Sequence, residues 1–160
     1  MAGSEEKLFL AFKVFDFLVK LFPPSFAGVI GRGLGLLAYY LLPERRTAAL
    51  KNIEECPVLP VNTNPRSLAR ASFINLGLMG AEFIRFYSMS KKEVLSRVEI
   101  VGAEYLDNAL RKGKGVILIS AHLGNWELLG MALSLAGYPL SPLVRTQNNR
   151  LFDQYINEKR

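Results

Sequence analysis

Polar positions in the first forty residues are few and regularly placed. From Leu8 to Phe22 only Lys13, Asp16 and Lys20 interrupt an apolar run. Their i, i+3, i+7 spacing lines one stripe of a helix, and Phe9, Phe12, Phe15 and Phe17 help fill the remainder. Pro23 and Pro24 predict its end. A second apolar run, Phe26 to Leu42, holds one charge, Arg32. Its length stands at the lower edge of a membrane span, roughly 17–25 residues. The basic flank Arg45, Arg46 and Lys51 predicts a cytoplasmic position for that end. Three arrangements fit residues 1–42: a spanning helix, an interfacial anchor, or a helical hairpin buried on a partner. Membrane association is the favoured one, with spanning against lying in the interface left open. The acidic start at Glu5 and Glu6, with no small-residue cleavage site after the first run, argues against a cleaved signal peptide. Gly31 and Gly35 have the GxxxG spacing of close helix packing. No strand precedes them and no Lys-Ser/Thr follows, so they do not read as a phosphate loop.

Beyond residue 42 the pattern changes twice. Glu44 to Glu55 reads as a helix and the proline-bearing stretch Cys56 to Asn64 as a loop. Asn64-Pro65 supplies an N-cap and a proline at the first helical position. Leu68, Ala71, Phe73, Ile74, Leu78, Phe83 and Ile84 carry helical periodicity to about Tyr87. After Ser90 the apolar positions alternate. Val98–Val101, Gly115–Ser120 and Leu140–Val144 are strand candidates, the second a continuous apolar and β-branched run of the kind found in buried parallel strands. Pro142 weakens the third. Between and after them, Ala103–Lys112, Asn125–Ala136 and Arg150–Lys159 read as helices, with Gly137 as a C′ residue. Strand–helix repetition with short connections predicts an α/β fold. Its N-terminal hydrophobic helices (residues 1–42) precede a parallel β-sheet with flanking helices (residues 43–160).

Composition narrows the function. Half of the 160 residues are hydrophobic, which excludes a disordered chain. Twenty Lys and Arg against fourteen Asp and Glu give a net charge of +6, spread evenly over both halves. A diffuse positive surface suits anionic lipid headgroups or an acidic protein, and no nucleic-acid-binding motif accompanies it. Cys56 is the only cysteine and His122 the only histidine. A cysteine-cluster or two-histidine metal site is therefore excluded, no cofactor is expected, and any histidine acid–base chemistry must use His122.

The stretch Ser120-Ala121-His122-Leu123-Gly124-Asn125-Trp126-Glu127 carries the chemistry. It begins where the most buried strand candidate ends, and ligands of open α/β sheets bind beyond such ends. Asn125 is placed to cap the next helix, with Glu127 in its first turn. A carboxylate five residues after the histidine can fold back onto one imidazole nitrogen, fix the tautomer and raise the basicity of the other. Gly124 lets substrate approach the backbone. The plainer reading stands beside this one: a turn histidine, and a glutamate favoured by the helix dipole.

His-x-x-x-x-Glu within Ala-His-Leu-Gly-Asn-Trp-Glu resembles the signature of the bacterial lipid A late (lauroyl/myristoyl) acyltransferases and their phosphatidylinositol mannoside acyltransferase relatives. Arg46 with Asn52, Gly102 with Leu106, Gly113–Ile117, and Arg145 with Asn149 and Asp153 are similar to flanking blocks of that family. The resemblance covers the N-terminal half of the family's usual length. It implies an O-acyltransferase in which His122 deprotonates an acceptor hydroxyl and Glu127 orients the imidazole. Arg145 would face phosphate, with Gly124 and Asn125 beside the substrate. The donor implied is an acyl carrier protein thioester or acyl-CoA, the acceptor a lipid A precursor, and the location the cytoplasmic side of the bacterial inner membrane. The alternatives are a lysophospholipid or phosphatidylinositol mannoside-like glycolipid acyltransferase, or an inactive membrane-associated remnant.

Overall fold

The computed structural model describes residues 2–60 and 62–160, with the side chains of 2–4, 24 and 25 outside the description. Among the described residues eight helices follow one another: α1 (Ala2–Leu21), α2 (Pro24–Leu41), α3 (Pro43–Glu54), α4 (Pro65–Phe86), α5 (Lys91–Leu95), α6 (Ala103–Leu110), α7 (Trp126–Leu135) and α8 (Arg150–Lys159). Two compact units divide between Arg85 and Phe86.

In the first unit, Val19, Ala27, Ala81 and Ile84 form a core against which Phe12, Phe15 and Phe83 pack. The predicted glycine packing is present. A Cβ added to Gly31 would lie 2.6 Å from the Gly77 carbonyl oxygen, and one on Gly35 or Gly77 would collide with the facing backbone. Backbones of α2 and α4 therefore touch directly, which only glycine permits. Asn64 caps α4 as expected, its Oδ1 accepting from the Ser67 amide at 3.1 Å.

Of the three polar residues in the α1 stripe, Asp16 is buried while Lys13 and Lys20 are exposed. Asp16 is 7% exposed and accepts from Lys20 Nζ at 2.8 Å, whereas Leu8, Leu10, Val14, Phe17 and Leu21 face outward. On α2, Val29, Leu34, Leu37 and Leu41 are likewise exposed. No single described helix is long and apolar enough to cross a membrane; Phe26–Leu41 with Pro43–Glu54 meets the length and composition only as a pair bent by 92°.

The second unit corrects the expected fold class. The parallel β-sheet of an α/β fold is absent: among the described residues there is no strand. Gly115–Ser120 has no ladder partner, and Ile117 and Ile119 are each 89% exposed. Val98–Val101 and Leu140–Val144 are also unpaired. A β-branched run favours extended backbone, but a sheet also needs a second backbone about 4.8 Å away to exchange hydrogen bonds and side chains that pack on its faces. None of the three segments meets another in this way. The unit is held instead by helices: α5 packs on α7, with Val94, Ala132, Leu133 and Tyr155 buried. Ser90 and Glu93 close a reciprocal capping box at the start of α5, an element hidden by the alternation of the sequence there. The end of α7 is a Schellman turn: Gly137 has φ +104°, its amide bonds to the Ser134 carbonyl at 3.0 Å, and that of Tyr138 to Leu133 at 3.1 Å.

Candidate active site

The turn into α7 places the predicted residues. Gly124, at φ +60°, adopts a left-handed conformation that a side chain would strain. Asn125 follows as N-cap, its Oδ1 accepting from the Leu128 amide at 3.0 Å. Trp126 and Glu127 are the first two helical residues, where a carboxylate is favoured by the helix dipole. His122 is exposed on the approach to this cap. Its ring lies against the Trp126 indole, with centroids 4.5 Å apart at 61°. The turn thus presents the imidazole to solvent over an aromatic wall.

Glu127 is engaged elsewhere. Its Oε2 accepts from Arg160 Nε at 3.1 Å and its Oε1 from Arg160 Nη2. This fork ties the start of α7 to the end of α8, with the two side chains 20% and 26% exposed. Among the described residues no hydrogen bond joins Glu127 to His122. The hydrogen bond to Glu127 raises the Arg160 guanidinium above its ordinary range, with burial opposing. Burial, and after it the Glu127 charge, pushes the Tyr87 phenol up, against a smaller downward pull from Arg160. Tyr87, Glu127 and Arg160 are therefore one electrostatic group.

Arg145 lies exposed in the irregular segment between α7 and α8, and its side chain makes no hydrogen bond or ion pair to His122 or Glu127. Its backbone carbonyl accepts from Gln147 Nε2 at 3.3 Å. Asn149 and Asp153 shape the backbone. Asn149 caps α8 through the Phe152 amide at 3.1 Å, and Asp153 Oδ1 takes the Gln147 amide at 2.7 Å. The structure therefore gathers Gly124, Asn125, His122 and Glu127 at one turn, shows no hydrogen bond or ion pair from the Arg145 side chain to His122 or Glu127, and adds Arg160 and Tyr87. No sequence pattern links positions 87, 127 and 160, and only the fold reveals their grouping. Among the described residues no three His, Cys, Asp or Glu side chains converge as a metal site requires.

Comparison with known proteins agrees with the signature. The phosphatidylinositol mannoside acyltransferase of Mycolicibacterium smegmatis is 29% identical over 117 residues, 72% of this chain and 38% of that protein. The corresponding protein of Mycobacterium tuberculosis (strain CDC 1551 / Oshkosh) is 32% identical over 85 residues, 52% of this chain and 27% of its own length. The lipid A biosynthesis palmitoleoyltransferase of Escherichia coli is 26% identical over 125 residues, 78% of this chain and 40% of that protein. The chain thus spans well under half the length of these relatives. No solved structure gives a significant match. Residues 6–160 match the family described as bacterial lipid A biosynthesis acyltransferase, and the chain belongs to that family.

Proposed function

We propose that this chain carries the base-bearing part of a membrane-associated O-acyltransferase. The observation that carries the reading is the single histidine, exposed immediately before an N-capped helix whose first turn holds Glu127, inside a family match over residues 6–160. His122 takes the proton of an acceptor hydroxyl as the oxygen attacks the thioester carbonyl of the donor. The tetrahedral intermediate collapses, the carbon–sulfur bond breaks, and the imidazolium returns the proton to the departing thiolate. The products are an ester and a free thiol. Glu127 stabilises the imidazolium once its carboxylate turns to the ring, a contact that often tightens only with substrate bound. Arg145, exposed and unpaired among the described residues, is available to an anionic oxygen of donor or acceptor.

The donor is an acyl carrier protein or coenzyme A thioester, and the acceptor a hydroxyl on an anionic glycolipid. A lipid A precursor and a phosphatidylinositol mannoside both fit, since relatives of both names match. Outward-facing apolar side chains on α1 and α2, with basic residues along the flank, support attachment to the cytoplasmic leaflet of the inner membrane. The test is transfer of a labelled acyl group from each donor to a panel of acceptors by the full-length gene product. No transfer to any hydroxylated lipid would refute the reading. Recovery in the soluble fraction without detergent would refute the attachment.

A further inference from the structure

The face of α4 that packs against α2 changes character along its length. Gly77, Ile74 and Phe73 meet α2 at Gly31 and Gly35, and the Phe73 ring meets Tyr39 edge-on with centroids 5.6 Å apart. One and two turns nearer the start of α4, where α2 is ending, the same side carries Arg70 and Arg66. A cleft of about 330 Å³ opens there, lined by Tyr39, Tyr40, Asn64, Arg66, Ser67 and Arg70. That volume is at the small end of ligand sites, roughly 300–1,000 Å³.

The lining is a set of donors without a carboxylate. Arg66 and Arg70 stand at i, i+4, one above the other, and among the described residues neither makes a salt bridge. Asn64 uses its oxygen for the Ser67 amide, which leaves its NH₂ as a donor. The Tyr40 phenol and Ser67 hydroxyl add two more. Arg46 lies over the Tyr39 ring at 5.5 Å and donates to the Tyr39 carbonyl at 3.3 Å, so a third positive charge is fixed beside the cleft. Arg66 and Arg70 are both exposed, and like charges one turn apart on a helix repel each other. An anion with oxygens enough for both forks relieves that repulsion. A carboxylate has two oxygens and one charge, which a single arginine satisfies; a phosphate monoester has three terminal oxygens and up to two charges.

We propose that this cleft binds the phosphate of a phosphorylated headgroup. The site lies in the first unit, away from His122 in sequence, and does not depend on the acyl-transfer reading. Its ligand is a phosphate monoester borne either by a lipid or by a soluble sugar or glycerol.

The experiment uses the full chain in maltoside micelles, which carry no phosphate. Inorganic phosphate and glycerol 3-phosphate are titrated calorimetrically, and flotation compares phosphatidylcholine vesicles with and without phosphatidic acid. The variants are Arg66→Gln/Arg70→Gln, the charge-keeping Arg66→Lys/Arg70→Lys, and a charge-matched control on α5, Lys91→Gln/Lys92→Gln. Wild type and control should bind at least one phosphate source, and the glutamine pair should bind it about tenfold or more weakly. The lysine pair should fall between. A loss confined to phosphatidic acid vesicles assigns a lipid-borne phosphate, and one seen with glycerol 3-phosphate a soluble one. The proposal is overturned if wild type responds to no phosphate source, or if the α5 control loses as much as the α4 pair.

Discussion

Glu127 gives both carboxylate oxygens to Arg160 and neither to His122. The carboxylate that should orient the imidazole is held, partly buried, by an arginine from another helix. A guanidinium fork fixes a carboxylate in place, so Arg160 sets the position of Glu127. Substitution of Arg160 by Gln should free the carboxylate to turn toward the imidazole. Trp126 reports this directly. It is the only tryptophan and it touches the only histidine, so a carboxylate turning toward the imidazole should change its emission. At one fixed pH the emission should differ from wild type in Arg160→Gln and return toward it in Arg160→Gln/Glu127→Gln. Unchanged emission in the single variant would show that Arg160 does not hold Glu127 away from His122.

The α2–α4 contact predicts opposite signs for two glycine substitutions. Gly77→Ala places a methyl against the backbone of α2, which cannot rotate away. It should cost about 1–3 kcal/mol or more. Gly33 lies on the same helix as Gly31 and Gly35, yet nothing lies within 4 Å of its added Cβ. Gly33→Ala should therefore stabilise by about 0.5–1 kcal/mol, through the lower entropy of the unfolded chain. Denaturant titration of both variants in maltoside separates the signs. Equal effects would mean that the backbones do not touch.

Much of this was legible in the sequence where the signal is local. Asn64 and Asn125 announce helix starts because a short acceptor before a helical run has one favourable use. Gly137 announces a helix end because the Schellman turn needs a positive φ. Gly31 and Gly35 announce a contact because nothing else lets backbones meet. Ser90 with Glu93 is an equally local signal, masked by the alternating residues beside it. The sheet was misread because Val116–Ile119 records a preference for extended backbone, whereas a strand exists only through a partner that the segment itself does not encode. Tyr87, Glu127 and Arg160 were illegible for the same kind of reason: their relation is made by where the fold brings the segment before α5, the start of α7 and the end of α8, not by spacing. The chemistry of the His122 turn was readable as a motif, but the competition for Glu127 was not.

Alkaline pH should loosen the second unit. Tyr87 is held above its ordinary value of 10.0 by burial and by Glu127, and Tyr138 by donating to Asp107 Oδ1 at 2.8 Å. A phenol whose folded value exceeds its unfolded one binds its proton more tightly when folded. Its contribution is complete below the unfolded value and is lost as pH rises through the folded value. Stability should thus fall as pH climbs beyond about 10. Replacing both phenols, Tyr87→Phe/Tyr138→Phe, should flatten that fall while lowering stability at neutral pH. Denaturation midpoints from about pH 8 to about pH 11 would show it, and a slope unchanged in the double variant would assign the alkaline loss to other groups.

His122→Ala tests the proposed chemistry most directly. No second histidine exists in the chain to take over the proton, and positioned general bases contribute roughly 10²–10⁴-fold. Acyl transfer from a labelled thioester should therefore fall by about that factor. The fold should persist, because the side chain is exposed and rests against the Trp126 ring at its surface. Glu127→Gln should lower the rate with less effect on acceptor affinity, since it weakens the imidazole as a base rather than the docking of lipid. It also weakens the tie to Arg160, so circular dichroism is needed to separate chemistry from packing. Arg145→Ala should behave differently: exposed and bonded to neither His122 nor Glu127, it should raise the concentration of donor or acceptor required and leave the saturated rate nearly intact. These three patterns are distinct, and each is read in the full-length gene product with the same donor and acceptor. A wild-type rate in His122→Ala would end the general-base assignment whatever the family, and a fall in the saturated rate for Arg145→Ala would move that residue from binding to the reacting atoms.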